Sequence, residues 1–198
     1  MVQEFKLEVI VKNTPLLKKK CSRCDSYRFY CSERFRVNAQ KKNIDIWLIY
    51  KCTNCDSTYN ATILTRKNPE VINKELNDKF LNNDIETAWM YAFSPELANK
   101  NSFEFDFASV EYSLKYHGDS LANLINYQHR QVIFEIVYPY NFNLKISTII
   151  KKLLGISSNQ VVQLIDKEVI LVDSKFLQKK DKVRNGLLVK IDLDRVLS

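Results

Sequence analysis

The feature that most constrains this chain is a pair of cysteine motifs, Cys21-Ser-Arg-Cys24 and Cys52-Thr-Asn-Cys55, with 27 residues between them. Two residues between cysteines let both sulfurs of a tight turn reach one ion, and two such turns complete a tetrahedral thiolate shell around Zn²⁺. Residues 28–37 and 44–50 read as two strands joined by a turn. That hairpin brings the motifs together, so the sequence predicts a zinc ribbon with one zinc ion held by Cys21, Cys24, Cys52 and Cys55.

The predicted metal is structural, because a filled four-sulfur shell leaves no position for a reactive water molecule. Four thiolates around Zn²⁺ carry a net charge of −2, and neighbouring cations favour the deprotonated ligands. These cations are Lys18, Lys19, Lys20, Arg23 and Lys51. The fifth cysteine, Cys31, lies inside the first predicted strand, where a buried thiol is favoured over a fifth ligand.

Several kinds of chemistry are not expected from this composition. The three glycines, Gly118, Gly155 and Gly186, are too far apart for a phosphate loop or a dinucleotide fingerprint, so no nucleotide cofactor is expected. His117 and His129 have no partner at ligand spacing, and we assign both to structure or solvent. Without a defensible nucleophile–base pair, the chain is not expected to be an enzyme.

The chain is expected to be cytoplasmic and to have no membrane partner. Residues 1–12 alternate like a strand and contain acidic side chains, unlike a signal peptide. No stretch approaches the roughly 20 apolar residues that a membrane span needs. In a reducing compartment, five cysteines point to a metal site or buried thiols and not to disulfides.

Charge divides the sequence into three segments. Residues 1–66 carry a net charge of +7, residues 67–140 a net charge of −5, and residues 141–198 a net charge of +5. Basic surfaces attract polyanions, although charge alone is also compatible with solvated lysines that bind nothing. We predict an α+β protein with a zinc ribbon (1–66), a middle region of helices and strands (67–140) and a carboxy-terminal domain (141–198).

In the middle region, residues 69–100 have apolar side chains at helical intervals, with Ser94 as an N-cap for a short helix. Residues 103–114 alternate like one strand, and residues 131–138 like a firmer strand closed by Pro139. Three aromatic residues of the helical stretch are assigned to the core and not to a stacking platform: Trp89, Tyr91 and Phe93.

The last segment begins with a helix over residues 146–154, which has one apolar face and Gly155 as its C-terminal cap. Ser157 opens a capping box for a second helix. Strands are predicted at residues 169–172 and 187–191, with a turn and a basic stretch between them.

This segment, which contains KISTIIKKLLGISSNQ, resembles the small RNA-binding domain of ribosomal small-subunit protein S-four, tyrosyl-tRNA synthetases and many pseudouridine synthases. The family pattern begins with basic-Leu-Asp and continues with LLG-(I/L)-Ser-Arg, G-x-(I/V)-x-V-Asn-Gly-Lys and Val-x-x-Gly-Asp. Lys145 matches its helix-opening Arg, Lys175 its Asn-Gly-Lys lysine, and Val183 and Gly186 its Val-x-x-Gly step. The departures are Ser147 for Asp, Ser158 for Arg, Glu168 for Gly, and Asp173-Ser174 for Asn-Gly.

The whole chain resembles a bacterial family of uncharacterised proteins with a zinc ribbon first and an S-four-like (αL-type) domain last. The resemblance implies non-catalytic binding of structured RNA, ribosomal or transfer RNA, with the ribosome as a candidate partner. Folded RNA is read mainly through its backbone and shape. The expected phosphate contacts are Lys145, Lys151, Lys152, Lys175, Lys179, Lys180, Lys182 and Arg184. The alternative is a protein–protein adaptor that uses the zinc ribbon and the acidic middle region.

Overall fold

The computed structural model describes residues 2–40, 42–117 and 131–197, which form an α+β protein with two sheets. In chain order, the strands are β1 (Val2–Val11), β2 (Leu16–Lys18), β3 (Arg28–Gln40), β4 (Asn43–Cys52), β5 (Thr58–Lys67), β6 (Glu104–Asp106), β7 (Tyr112–His117), β8 (Gln131–Val137), β9 (Ile170–Val172), β10 (Lys175–Phe176) and β11 (Leu187–Asp192). The helices are α1 (Lys74–Leu81), α2 (Ile85–Ala92), α3 (Pro95–Asn101), α4 (Ile146–Leu154), α5 (Ser158–Asp166) and α6 (Leu193–Leu197).

The chain divides into two compact units and not into the three predicted segments. Lys12–Glu111 forms the continuous unit, and Met1–Val11 together with Tyr112–Ser198 forms the split unit. The boundaries differ from the predicted ones at 66 and 140 because β1 pairs with β7 and β8 instead of joining the predicted zinc ribbon. The middle region is divided because its helices pack on β3 and β5, whereas β7 and β8 belong to the other sheet.

The sheet of the continuous unit has the strand order β5-β4-β3-β2-β6, with all neighbours antiparallel. The predicted hairpin is β3–β4, although β3 continues to Gln40, beyond the predicted end at residue 37. A bulge interrupts the β3–β4 ladder between Cys31 and Arg34. Alternate residues of β4 are fully buried, which gives the sheet one core face: Ile46, Leu48, Tyr50 and Cys52.

The helical stretch of the middle region consists of three short helices that cover this core face. Their N-caps are Asn73, Asp84 and Ser94, each of which accepts a hydrogen bond from the third residue of its helix. The ring of Phe35 on the sheet packs edge-on against the ring of Phe80 on α1, with 4.9 Å between the ring centroids. Tyr91 also contacts Phe35, and Phe93 is buried, as predicted for core aromatics. Trp89 is half-buried and donates its indole N–H to the Glu33 carboxylate at 2.7 Å.

The prediction of one strand over residues 103–114 is wrong. β6 pairs with β2 in the continuous unit, whereas β7 pairs with β1 in the split unit. Between them, Phe107–Ser109 forms a 3-10 turn, in which the Ser109 hydroxyl donates to the Asp106 carbonyl and accepts from the Leu16 N–H. These hydrogen bonds fix the turn that ends β6 at Asp106, whereas the alternation of apolar and polar residues alone predicts that the strand continues.

The sheet of the split unit has the order β10-β9-β11-β8-β1-β7, in which β1 runs parallel to β8 and the other pairs are antiparallel. Its core contains alternate residues of β8 and the apolar faces of α4 and α5: Val132, Phe134, Ile136, Ile149, Ile150, Leu153, Val161 and Leu164. The predicted caps are confirmed, since Gly155 has φ 64° and Ser157 forms a capping box with Gln160. His117 is the last residue of β7, and His129 lies outside the described residues.

Glu168 ends α5 in a conformation that suits glycine. Its φ is 55°, and the N–H groups of Glu168 and Val169 bond to the carbonyls of Ile165 and Leu164. This pair of bonds is the Schellman motif, whose left-handed residue is most often glycine because a Cβ atom is strained there.

Glu168→Gly should therefore stabilise the split unit by about 1 kcal/mol, since it removes left-handed strain at this cap. Denaturation in urea measures the gain. The matched control is Lys167→Gly, one residue earlier at φ −80°, where glycine relieves no strain and should destabilise by roughly 0.5–1 kcal/mol. A loss of stability in the Glu168 variant equal to that of the control would contradict the strain argument.

Candidate metal centre

Four cysteine sulfurs converge at one end of the continuous unit. Cys21 and Cys24 lie in the loop between β2 and β3, Cys52 is the last residue of β4, and Cys55 lies in the turn before β5. Their Sγ atoms are all within 4.8 Å of one another, with 3.7 Å between Cys21 and Cys55 and 3.6 Å between Cys24 and Cys52. Ligands at about 2.3 Å in a tetrahedron are about 3.8 Å apart, so this arrangement is compatible with a zinc site.

The two cysteine turns are built alike. The Cys21 N–H donates to the Ser26 carbonyl at 2.8 Å, and the Cys52 N–H donates to the Ser57 carbonyl at 2.9 Å. Both turns have the sequence Cys-x-x-Cys-Asp-Ser. Because this shared pattern extends two residues past the second cysteine of each motif, it could have identified Ser26 and Ser57 as part of the site from the sequence alone.

These two serines support the cluster from outside, Ser57 by contact with two thiols and Ser26 by contact with the opposite turn. The Ser57 hydroxyl lies 3.1 Å from the Cys21 sulfur and 3.2 Å from the Cys55 sulfur. The Ser26 hydroxyl is 3.1 Å from the Thr53 hydroxyl in the opposite turn. Hydrogen bonds of this kind orient metal ligands and delocalise the charge of bound thiolates.

The surroundings push the pKa values of the thiols apart. The Ser57 hydroxyl and the Arg23 N–H lower the pKa of Cys21 to about 6. For Cys24, a backbone hydrogen bond at Ser26 acts to lower the pKa, but burial and the hydrogen bonds with Cys55 and Cys52 raise it to about 11. Four thiols so close together cannot all ionise unless a cation compensates their charge, and a bound divalent metal would supply that compensation.

Cys31 lies apart from the four-sulfur cluster and is a core residue, as predicted. It faces Tyr50 across the β3–β4 ladder and is buried. Burial raises the pKa of the Cys31 thiol to about 12, so this cysteine remains protonated at neutral pH.

The eight cations predicted to contact RNA are all exposed and lie in the split unit. Lys145 and Lys182 face each other in an antiparallel bridge, fixed by hydrogen bonds from Val183 N–H to the Leu144 carbonyl and from Ile146 N–H to the Asp181 carbonyl. Lys179 and Arg184 form exposed ion pairs with Asp166 and Asp173. Within the described ranges, no ion pair is formed by Lys145, Lys151, Lys152, Lys175, Lys180 or Lys182.

A depression of about 200 Å³ lies between α4 and α5. Ser147 and Ser158, two of the departures from the S-four pattern, line it. The Lys151 ammonium donates to the Ser158 hydroxyl at 3.0 Å, and the Lys152 ammonium lies 3.7 Å from the centroid of the Tyr112 ring. The depression therefore combines hydroxyl groups with two cations, Lys151 and Lys179.

None of the helices in the described ranges is both long enough and apolar enough to cross a lipid bilayer. Compared with known proteins, the sequence matches the family described as "Protein of unknown function (DUF1062)" over residues 37–176. The match begins within β3 and ends at β10, so it includes the second cysteine motif and not the first. No curated protein and no solved structure matches the sequence.

Proposed function

The chain belongs to the DUF1062 family, and we propose that it binds structured RNA without catalysing a reaction and holds one structural zinc ion. The RNA is held by the split unit, whose S-four-like part begins at Lys145. The zinc is held by Cys21, Cys24, Cys52 and Cys55 of the continuous unit, as in a zinc ribbon. Ribosomal and transfer RNA are the candidate ligands.

The zinc assignment is supported by the donor set and its spacing. Four thiols at tetrahedral separations form the shell that structural Zn²⁺ prefers, and bound Zn²⁺ supplies a cross-link between two turns. Ser57 orients two of the thiols, and the hairpin β3–β4 separates the turns in sequence while its ends bring them together.

The S-four-like assignment is supported by the backbone at the positions where that family has glycine or Asn-Gly. All of them have positive φ in this chain, although three are occupied by side-chain-bearing residues. These positions are Gly155, Glu168, Asp173, Ser174 and Gly186. Glycine and Asn-Gly of the family pattern suit such a backbone, so these φ values support the assignment even where the residues depart from the pattern.

The bridge between Lys145 and Lys182 is the observation that carries the proposal of RNA binding. Like charges directly opposite each other across a ladder destabilise it. The Lys182 ammonium is held by the Asn143 side chain at 2.9 Å, and neither lysine forms an ion pair in the described part of the chain. A phosphate group between two such cations removes the repulsion and releases counterions.

Lys145→Gln combined with Lys182→Gln should weaken the binding of structured RNA. The salt slope, log K against log[salt], should fall by roughly one unit for each phosphate that the variant no longer neutralises. Filter binding or fluorescence anisotropy over a range of salt concentrations, with transfer RNA and a ribosomal RNA fragment, measures both quantities.

The matched control is Lys74→Gln combined with Lys79→Gln, which removes the same charge from α1 of the continuous unit. A local site predicts that the control pair changes little. Equal losses from both pairs would indicate long-range attraction to a basic protein and would overturn the assigned site.

A protein–protein adaptor is the second candidate, and the exposed apolar side chains of α1 and α2 favour it. Leu81, Ile85 and Met90 are exposed, and Met90 lines a depression of about 510 Å³ together with Leu76 and Tyr91. Exposed apolar surface of this kind marks sites of protein contact. Absence of RNA binding by the unaltered protein would favour this role.

A further inference from the structure

The sheet of the continuous unit has a second face, opposite the one that its helices cover. Residues paired directly across antiparallel strands share a face. Tyr30 pairs with Lys51, Arg34 with Ile49, and Arg36 with Trp47. In β4 these partners alternate with the buried residues of the core face, so all six point away from the core. We call Tyr30, Arg34, Arg36, Trp47, Ile49 and Lys51 the outer face.

The outer face is positively charged. Arg34 and Arg36 are exposed, and Lys51 is half-buried. The nearby acidic groups are already hydrogen-bonded: Asp45 accepts from the Thr65 hydroxyl and the Arg66 N–H, and Glu33 of the bulge accepts from Trp89. Among the residues that the structure describes, none forms an ion pair with these three cations, which can therefore meet an anionic ligand.

The same face carries two aromatic rings. Tyr30 is 37% exposed, and its hydroxyl donates to the Asp56 carboxylate at 3.0 Å, which fixes the ring. Trp47 is half-buried, with the Arg36 guanidinium 5.9 Å from its ring centroid. Tyr30 pairs with Lys51, four residues from Trp47 along β4, so the two ring positions are about 13 Å apart. Arg34 and Ile49 lie between them.

We propose that the outer face binds single-stranded RNA, with bases stacked on Tyr30 and Trp47 and phosphates contacted by Arg34, Arg36 and Lys51. Rings that alternate with cations on an open sheet suit single strands, because unpaired bases can leave their own stack for an aromatic side chain. In a duplex the bases are not accessible in this way. The outer face is a site additional to the lysines of the split unit, and it does not depend on the proposed binding of structured RNA there.

The fluorescence of Trp47 tests the stacking directly. The chain has two tryptophans, so Trp89→Phe leaves Trp47 as the one indole emitter. An oligouridylate of about 12 nucleotides should quench this emission. In the converse variant, Trp47→Phe, the remaining Trp89 lies on the helix side of the sheet, and its emission should not change. No quenching of Trp47 at saturating oligouridylate would overturn the proposal.

Affinity provides the second readout. Trp47→Ala and Tyr30→Ala should each weaken oligouridylate binding about five-fold or more, and Trp47→Phe should retain most of it. The thermal melt of each variant shows whether it remains folded. If Trp47→Ala does not fold, the affinity of Tyr30→Ala alone tests the stacking. Arg34→Gln with Arg36→Gln should reduce the salt slope by about 0.7 for each phosphate that is no longer neutralised. Wild-type affinity in both alanine variants would overturn the stacking assignment.

Three controls distinguish stacking on the outer face from binding by the split unit and from attraction by charge alone. Lys145→Gln with Lys182→Gln should leave oligouridylate binding unchanged, so failure of the structured-RNA site and failure of the outer face are distinguishable. In the Lys145→Gln, Lys182→Gln variant, whose structured-RNA site is disabled, a perfectly paired RNA duplex and polyglutamate should both bind more weakly than oligouridylate. Equal binding of polyglutamate would show that charge alone holds the ligand and would overturn the proposal, as would equal binding of the duplex.

Discussion

Serine in place of Cys21 or Cys52 should remove the zinc ion and unfold the continuous unit. Each substitution takes one of four sulfurs from the shell, and structural zinc contributes on the order of 10–16 kcal/mol to the folding of small metal-dependent domains. Elemental analysis of protein purified without added metal should find about one equivalent of zinc in the unaltered chain and almost none in either variant. Far-ultraviolet circular dichroism should show the accompanying loss of strand signal.

The control is Cys31→Ser, which changes a cysteine outside the cluster. Cys31 is buried, so serine there lowers stability, but the four ligands remain and the zinc content should stay near one equivalent. Zinc lost from the Cys31 variant and kept in the Cys21 and Cys52 variants would reverse the ligand assignment.

Truncation of Ile149 to alanine should cost the split unit about 2–5 kcal/mol, because the side chain is fully buried and its loss leaves a cavity. Leu164→Ala on α5 should have a similar effect, since Leu164 is also buried in the core of this unit. Urea denaturation measures both changes in the free energy of unfolding.

Leu188→Ala is the matched control, because Leu188 is 52% exposed on β11 of the same unit. A surface substitution of this kind changes stability by about 0.5 kcal/mol or less. Midpoints unchanged in both the Ile149 and the Leu164 variants would show that the helical faces were assigned incorrectly.

The elements that the sequence predicted well are those encoded locally. The apolar face of α4 repeats within two turns, and its cap Gly155 follows directly. The capping box of α5 spans four residues, and the β3–β4 hairpin joins strands that are adjacent in sequence. Each signal and the structure it specifies lie within a few residues of each other.

The predictions that failed concern contacts between distant parts of the chain. Nothing in β1 indicates that its partners lie beyond residue 111, so alternation alone places the strand in the zinc-ribbon segment. Residues 103–114 keep a strand-like alternation, but the Ser109 turn divides them between two sheets. The alternation of apolar and polar residues indicates that one face of a strand is buried, but it does not indicate in which of the two cores.

The candidate site was only partly predictable for the same reason. The cysteine spacing identifies four candidate metal ligands, because a tight turn relates each pair. The outer face needs the register of β3 against β4, which pairs Arg36 with Trp47 and Tyr30 with Lys51. That register includes a bulge at Glu33, where φ is 58°, and the sequence gives no separate signal for it.

In the sequence, the continuous unit is inserted between the two parts of the split unit, and this order has a consequence during translation. β1 is synthesised before its nearest partner, β7, which begins at Tyr112, the residue that pairs with Val11. At about 5–20 residues per second, β1 waits roughly 5–20 s for that partner to be made. The continuous unit is complete earlier, and its ends meet where the Lys12 N–H donates to the Glu111 carbonyl at 2.9 Å. Once folded, it shortens the loop that β1 and β7 must close, so binding of the proposed zinc ion by the nascent chain would also speed assembly of the other sheet.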